Sequence, residues 1–87
     1  MRFSLKNEVS VHDLLPLELV SSGRWADVED VSGEPSWVCR LAELGVRIGC
    51  RLKVLQAGSP CLLQIGDVRL SLRGDLATQI LVRLLPA

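Results

Sequence analysis

Three cysteines and a single histidine are the residues of this chain best suited to hold a soft metal ion: Cys39, Cys50, Cys61 and His12. Structural zinc sites draw their ligands in pairs a few residues apart, so that one turn presents two donors together. Here the cysteines follow one another at intervals of eleven residues, which puts them on different elements. Cysteine is also among the most buried residue types and packs as a small hydrophobe. The spacing favours buried core thiols, and no metal ligand and no cofactor is assigned. The odd count without a close pair speaks against a disulfide framework and fits a reducing compartment.

Nucleophilic catalysis needs a side chain with an activating base beside it. The sequence has no Gly-x-Ser-x-Gly elbow and no phosphate-cradling glycine loop. His12 lies in a poorly patterned stretch, and Asp27, Glu29 and Asp30 read as a solvated strand edge. No catalytic residue is assigned, and the expectation is a protein that is not an enzyme. Recognition is the chemistry that remains. Trp37, Arg40, Glu43 and Arg47 lie on or just beyond a candidate surface helix. Tryptophan and arginine are enriched at binding hot spots, and Arg40 and Glu43, three residues apart, are spaced to pair. The same residues also suit a plain solvated face, and both readings stay open.

The elements that would position these residues are short. The stretch before residue 14 has no clear period, and Pro16 interrupts the apolar run from Leu14 to Val20, so a helical turn can begin only at or after it. Arg24 to Val31 suits a strand with Ala26 and Val28 on one face and Trp25, Asp27 and Glu29 on the other. A helix is expected from about Pro35 to Leu44, with proline where no amide donor is missed and Gly45 as its left-handed stop. Val38, Leu41 and Ala42 form its apolar stripe, widened by Trp37 and Leu44, with Ser36, Arg40 and Glu43 opposite.

Downstream, three alternating segments read as strands: residues 51–56, 61–65 and 68–72. Gly66-Asp67 between the last two suits a type II′ hairpin turn. A helical turn over about 74–79 precedes a final strand carrying Ile80, Val82 and Leu84. Short strands with closely spaced turn signals predict a mainly β fold: a small barrel of five to six strands with one short helix (about 35–44) and a second helical turn (about 74–79). Leu55, Leu62 and Leu81 fall on the outward parity. Partial cover by Leu14, Leu15, Leu17 and Leu19 is the favoured explanation, with an apolar patch for another protein as the alternative.

Bulk composition narrows the function. Of 87 residues, 48% are hydrophobic and only 3% aromatic, which describes one small aliphatic core with little room for a ligand. Ten basic residues balance ten acidic ones. A nucleic-acid binder ordinarily carries a basic excess, so no nucleic-acid partner is expected. The charged N-terminus does not suit a signal peptide, and no apolar stretch reaches the roughly 20 residues of a membrane helix. A cytoplasmic location without direct membrane insertion is the expectation.

The stretch Arg40-Leu41-Ala42-Glu43-Leu44-Gly45-Val46-Arg47-Ile48-Gly49 closely resembles the FeoA family, in which Arg-Leu is followed by Leu-Gly-aliphatic and a second glycine. Upstream, Gly23, Ala26, Val28 and Val31 resemble the family's first strand. Downstream, Leu70, Leu72, Arg73, Ala77, Ile80 and Val82 resemble its closing hairpin and last strand. The likeness covers roughly residues 17–84, leaving residues 1–16 as an N-terminal extension and 17–87 as the domain. Trp25 and Trp37 stand where smaller or polar residues are common in the family. The resemblance implies an SH3-like barrel in the cytoplasm that acts through the FeoB ferrous-iron transporter, on its GTPase domain or membrane-proximal surface. Gly23, Leu41, Leu44, Gly45 and Gly49 are expected to be structural, and the surface-helix reading, not the resemblance, makes Trp37, Arg40, Glu43 and Arg47 the candidate partner-facing residues. An RNA- or ribosome-associated barrel and a metal-binding protein are the alternatives. Nothing resembles the helix-turn-helix of the diphtheria-toxin-repressor class, in which the same domain also occurs.

Overall fold

A computed structural model describes residues 14–86; the N-terminal stretch 1–13, with His12, lies outside the described residues. Six strands form one antiparallel sheet: β1 (Leu14–Pro16), β2 (Trp25–Val31), β3 (Arg51–Gln56), β4 (Cys61–Ile65), β5 (Val68–Leu72) and β6 (Ile80–Leu84). They lie in the order β1-β6-β2-β3-β4-β5. Helix α1 (Pro35–Glu43) joins β2 to β3, and a single turn, α2 (Gly74–Ala77), joins β5 to β6. A 3-10 turn, Leu17–Leu19, follows β1 directly after Pro16.

Alternation explains the strands. Ala26, Val28, Leu52, Val54, Cys61, Leu63, Leu72, Ile80 and Val82 all point into one aliphatic core and are essentially inaccessible to water. Burying this apolar surface supplies about 25 cal/mol per Å². Strand β1 is the element that the sequence does not announce. It is too short to alternate visibly, yet Leu14, Leu15 and Pro16 pair with Arg83, Val82 and Leu81.

The sheet is barrel-like without closing, since no pairing joins β1 to β5 among the described residues. Two helical turns help to cover the core. α2 packs on the 3-10 turn, and each contributes one fully buried side chain, Ala77 and Leu17.

Two bulges adjust the strands. In β2 the register shifts between Val28 and Asp30, so that Val28 faces Val82 while Val31 faces Ile80. Without the extra residue, Asp30 would continue the inward parity of Ala26 and Val28. With it, Asp30 is exposed and Val31 packs against the core. A second shift, between Val54 and Gln56, leaves Leu55 as the additional residue of β3. Strand β2 is central, so Asp27 and Glu29 are not edge residues. Asp27 is paired with Arg51 at 2.9 Å and Glu29 with Arg83 at 3.6 Å, each across the sheet.

Of the outward leucines, Leu81 is the one that lies beside β1, paired with Pro16. Leu55, Leu62 and Leu81 are each half-buried. Leu17 enters the core, Leu19 is 64% exposed, and Leu14 and Leu15 belong to a strand beside β6. Strand β1 thus lengthens the sheet; β2 and β6 separate it from Leu55 and Leu62.

Candidate functional site: the outer face of helix α1

Helix α1 starts where the chain can start it without loss. Pro35 occupies the first turn, and the Val38 amide donates to the Glu34 carbonyl at 3.0 Å. Its end is a Schellman motif: the Gly45 amide donates to Ala42 O at 3.0 Å and the Val46 amide to Leu41 O at 2.8 Å. Gly45 has φ +102°, which a side chain would strain. Leu41 and Val46, the hydrophobic pair of this motif, are both buried.

Leu41 is therefore the anchor that holds α1 on the barrel. Leu44, expected to share that task, is 40% exposed. As the helix's terminal residue it follows the last turn outward, and the motif hands its inward place to Val46. Gly23 and Gly49 serve the same framework from other loops. Their amides donate to Val54 O at 2.7 Å and Val28 O at 2.8 Å, tying both loops to the sheet.

On the outer face, Trp37, Arg40 and Glu43 line one broad depression with Ser36 and Cys39, with a volume of about 540 Å³. Three of the four residues expected to face a partner are thus together. Arg47 is not with them. It lies beyond the Schellman turn in an apolar groove of about 320 Å³ with Val31, Val38, Ala42, Val46 and Ile48. Ile48 at its rim is 67% exposed. Helical spacing of residues 36, 39, 40 and 43 already holds the signal for Ser36 and Cys39. Nothing in the sequence distinguishes Ile48 from a core residue.

Arg40 and Glu43 do not form the expected pair. Among the described residues the ion pairs are Arg51–Asp27, Arg73–Asp75 and Arg83–Glu29. Both α1 charges are exposed and remain available to another molecule. Trp37 is half-buried, and its Nε1 is shielded from water without a hydrogen-bond partner. Trp25 lies elsewhere, on β2, with Lys53 Nζ 5.7 Å from its ring centre.

The thiols are dispersed. Cys61 is in the core, Cys50 is half-buried, and Cys39 is exposed on α1, so only one of the three is the buried core thiol expected. Cys39 falls between the apolar stripe and the charged face, and the helix turns it to solvent. Burial pushes the Cys61 thiol above its usual pKa and keeps it protonated. Among the described residues no three His, Cys, Asp or Glu side chains converge as metal ligands do. The arrangement can offer apolar contact, an aromatic ring and two exposed opposite charges that form no ion pair among the described residues. That is the chemistry of docking.

Compared with known families, residues 15–84 match the FeoA domain. The chain belongs to the FeoA family. A FeoA protein from Chlorobium tepidum is 32% identical, with a TM-score of 0.78 over 83% of this chain and 71% of that one. An iron uptake regulatory protein, also a FeoA, is 26% identical, with a TM-score of 0.77 over 83% and 99% of the two chains. The FeoA of Stenotrophomonas maltophilia, solved with zinc, is 29% identical, with a TM-score of 0.66 over 76% and 86%. It is described as a procaryotic SH3 domain protein and a candidate activating factor of bacterial ferrous iron transport. No curated protein matches by sequence. The FeoA assignment identifies the six-stranded sheet as SH3-like and the Leu41–Gly49 stretch as part of the matched domain.

Proposed function

We propose that this FeoA-family chain is a non-enzymatic, cytoplasmic regulatory module of bacterial ferrous-iron uptake that docks on the FeoB transporter, at its GTPase domain or membrane-proximal surface. The observation that carries the reading is the outer face of α1, where Trp37, Arg40 and Glu43 share one depression and both charges lack an intramolecular ion partner among the described residues. Family membership supplies the iron-transport setting. Three free thiols suit a reducing compartment, and no helix among the described residues is long and apolar enough to cross a membrane. The reading assigns no catalytic group and no cofactor, and it gives the exposed charges a role in orienting the partner.

The test is binding of the full chain to a FeoB GTPase domain in reducing buffer, with and without guanine nucleotide. Arg40→Glu should weaken binding by about tenfold or more, in the range of a hot-spot loss, with an unchanged circular dichroism spectrum. Absence of binding in every nucleotide state would defeat the proposal. Binding indifferent to Arg40→Glu and Glu43→Lys would move the interface away from α1.

A further inference from the structure

Strand β5 is an open edge. It pairs with β4 on one side, and no strand lies on the other among the described residues. Proteins usually blunt such edges with proline, bulges, inward charges or very short strands. The opposite edge, β1, is three residues long and ends in Pro16. Strand β5 has no proline, bulge or inward charge, and its one charged residue, Arg69, lies on the outward face. Its five residues pair in unbroken register, from Val68 opposite Ile65 to Leu72 opposite Cys61.

The hairpin fixes which backbone groups are free. Gly66 has φ +58° and no non-glycine residue among the described ones, Asp67 included, has positive φ, the combination that a type II′ turn requires. In a two-residue hairpin the flanking residues, Ile65 and Val68, exchange both backbone hydrogen bonds, and the pattern alternates from there. Val68, Leu70 and Leu72 therefore spend their amides and carbonyls on β4. Those of Arg69 and Ser71 point to the open side. At the hairpin end of the strand the side chain of Val68, on the core-facing parity, is 44% exposed, whereas Leu72 at the other end is buried.

We infer that β5 pairs antiparallel with β5 of a second copy of this chain, about a two-fold axis at Leu70. That register sets Arg69 opposite Ser71 of the other copy, and these are the residues whose backbone groups are free. Continued one residue beyond β5, it sets Arg73, which already pairs with Asp75 of its own chain, opposite Asp67, so no like charges meet there. The neighbouring registers are worse. Centring on Arg69 opposes that arginine to its own copy, and centring on Ser71 opposes it to Arg73. Like charges directly opposite in a ladder are destabilising. The Leu70 register is thus the self-complementary one, and its two-fold symmetry closes the assembly at two chains. The outer face of α1 takes no part, so the pairing is independent of the proposed docking on FeoB.

Sedimentation equilibrium over a wide concentration range tests the pairing. The full chain should pass from monomer to dimer, and the Arg69 and Ser71 amides should gain hydrogen-exchange protection as it does. Ser71→Glu places a carboxylate opposite Arg69 twice per dimer and should tighten association roughly 2- to 30-fold. Ser71→Arg should weaken it by a comparable factor. Both substitutions are on an exposed site, and thermal melts at low concentration would show each monomer folded. A monomer at every concentration overturns the inference. So does a dimer indifferent to both substitutions, or protection of these two amides that is already complete in the dilute monomer, which would mean that the chain's own residues cover the edge.

Discussion

Gly45 stands against Ile65 where α1 meets the β4–β5 hairpin: a Cβ built on the glycine would lie 3.4 Å from Ile65 Cγ2. The contact itself is tolerable, so the backbone decides the outcome. At φ +102° any L side chain is strained. Gly45→Ala should cost about 1–2 kcal/mol, seen as a lower urea midpoint with an unchanged slope. A branched residue should cost more. A neutral alanine would show that the Schellman turn relaxes without loss.

Leu41 is the test of what holds the helix down. It is fully buried, whereas Leu44 is 40% exposed. Leu41→Ala should lose about 2–5 kcal/mol, and Leu44→Ala well under 1 kcal/mol, as exposed substitutions usually do. Equal losses in denaturant titrations would contradict the anchoring role given to Leu41.

Acid should break the Arg73–Asp75 pair at a lower pH than an ordinary carboxylate would need. The hydrogen bond from Arg73 holds this carboxyl below its usual range, with burial opposing and the charge attraction assisting. A depressed carboxylate pKa contributes stability that is present above the unfolded value of about 3.9 and is lost as pH falls through the folded one. Asp75 is fully exposed, so the effect is small. Asp75→Asn should flatten the acid side of the stability curve below about pH 4 and leave neutral stability almost unchanged. An identical acid slope in both proteins would refute the linkage.

Thiol labelling should separate the three cysteines. Cys39, exposed on α1, should react with Ellman's reagent at once, and Cys50, half-buried, more slowly. Cys61 should react only on global unfolding, because it is buried and its thiol stays protonated. Rapid reaction of Cys61 in the native protein would place it outside the core.

Where alternation or a cap was the governing physics, the residues announced the structure. The β4–β5 hairpin, the end of α1 at Gly45 and the final strand all follow local rules that few residues suffice to state. The failures share a different cause. Strand β1 exists because β6 offers it a partner, which no feature of Leu14-Leu15-Pro16 reveals. The outward turn of Asp30 depends on a bulge, and a bulge is visible only when both strands are seen together. Leu44 has the right spacing for the apolar stripe but sits on the turn that ends it. The candidate site was half legible for the same reason. Helical periodicity groups Trp37, Arg40 and Glu43, whereas the separation of Arg47 depends on the path taken after the helix.

The pairing of Leu14 with Arg83 joins the first described strand to the last. Most of the chain must therefore leave the ribosome before the outermost ladder can form, and the entropy of closing so large a loop is spent late. A translation product cut short before Ile80 would lose the strand that β1 and β2 both need. Leu17 would lack its seat, and Ala26 and Val28 would be open to chaperones and proteases. For this domain, completeness of synthesis and acquisition of structure are nearly the same event.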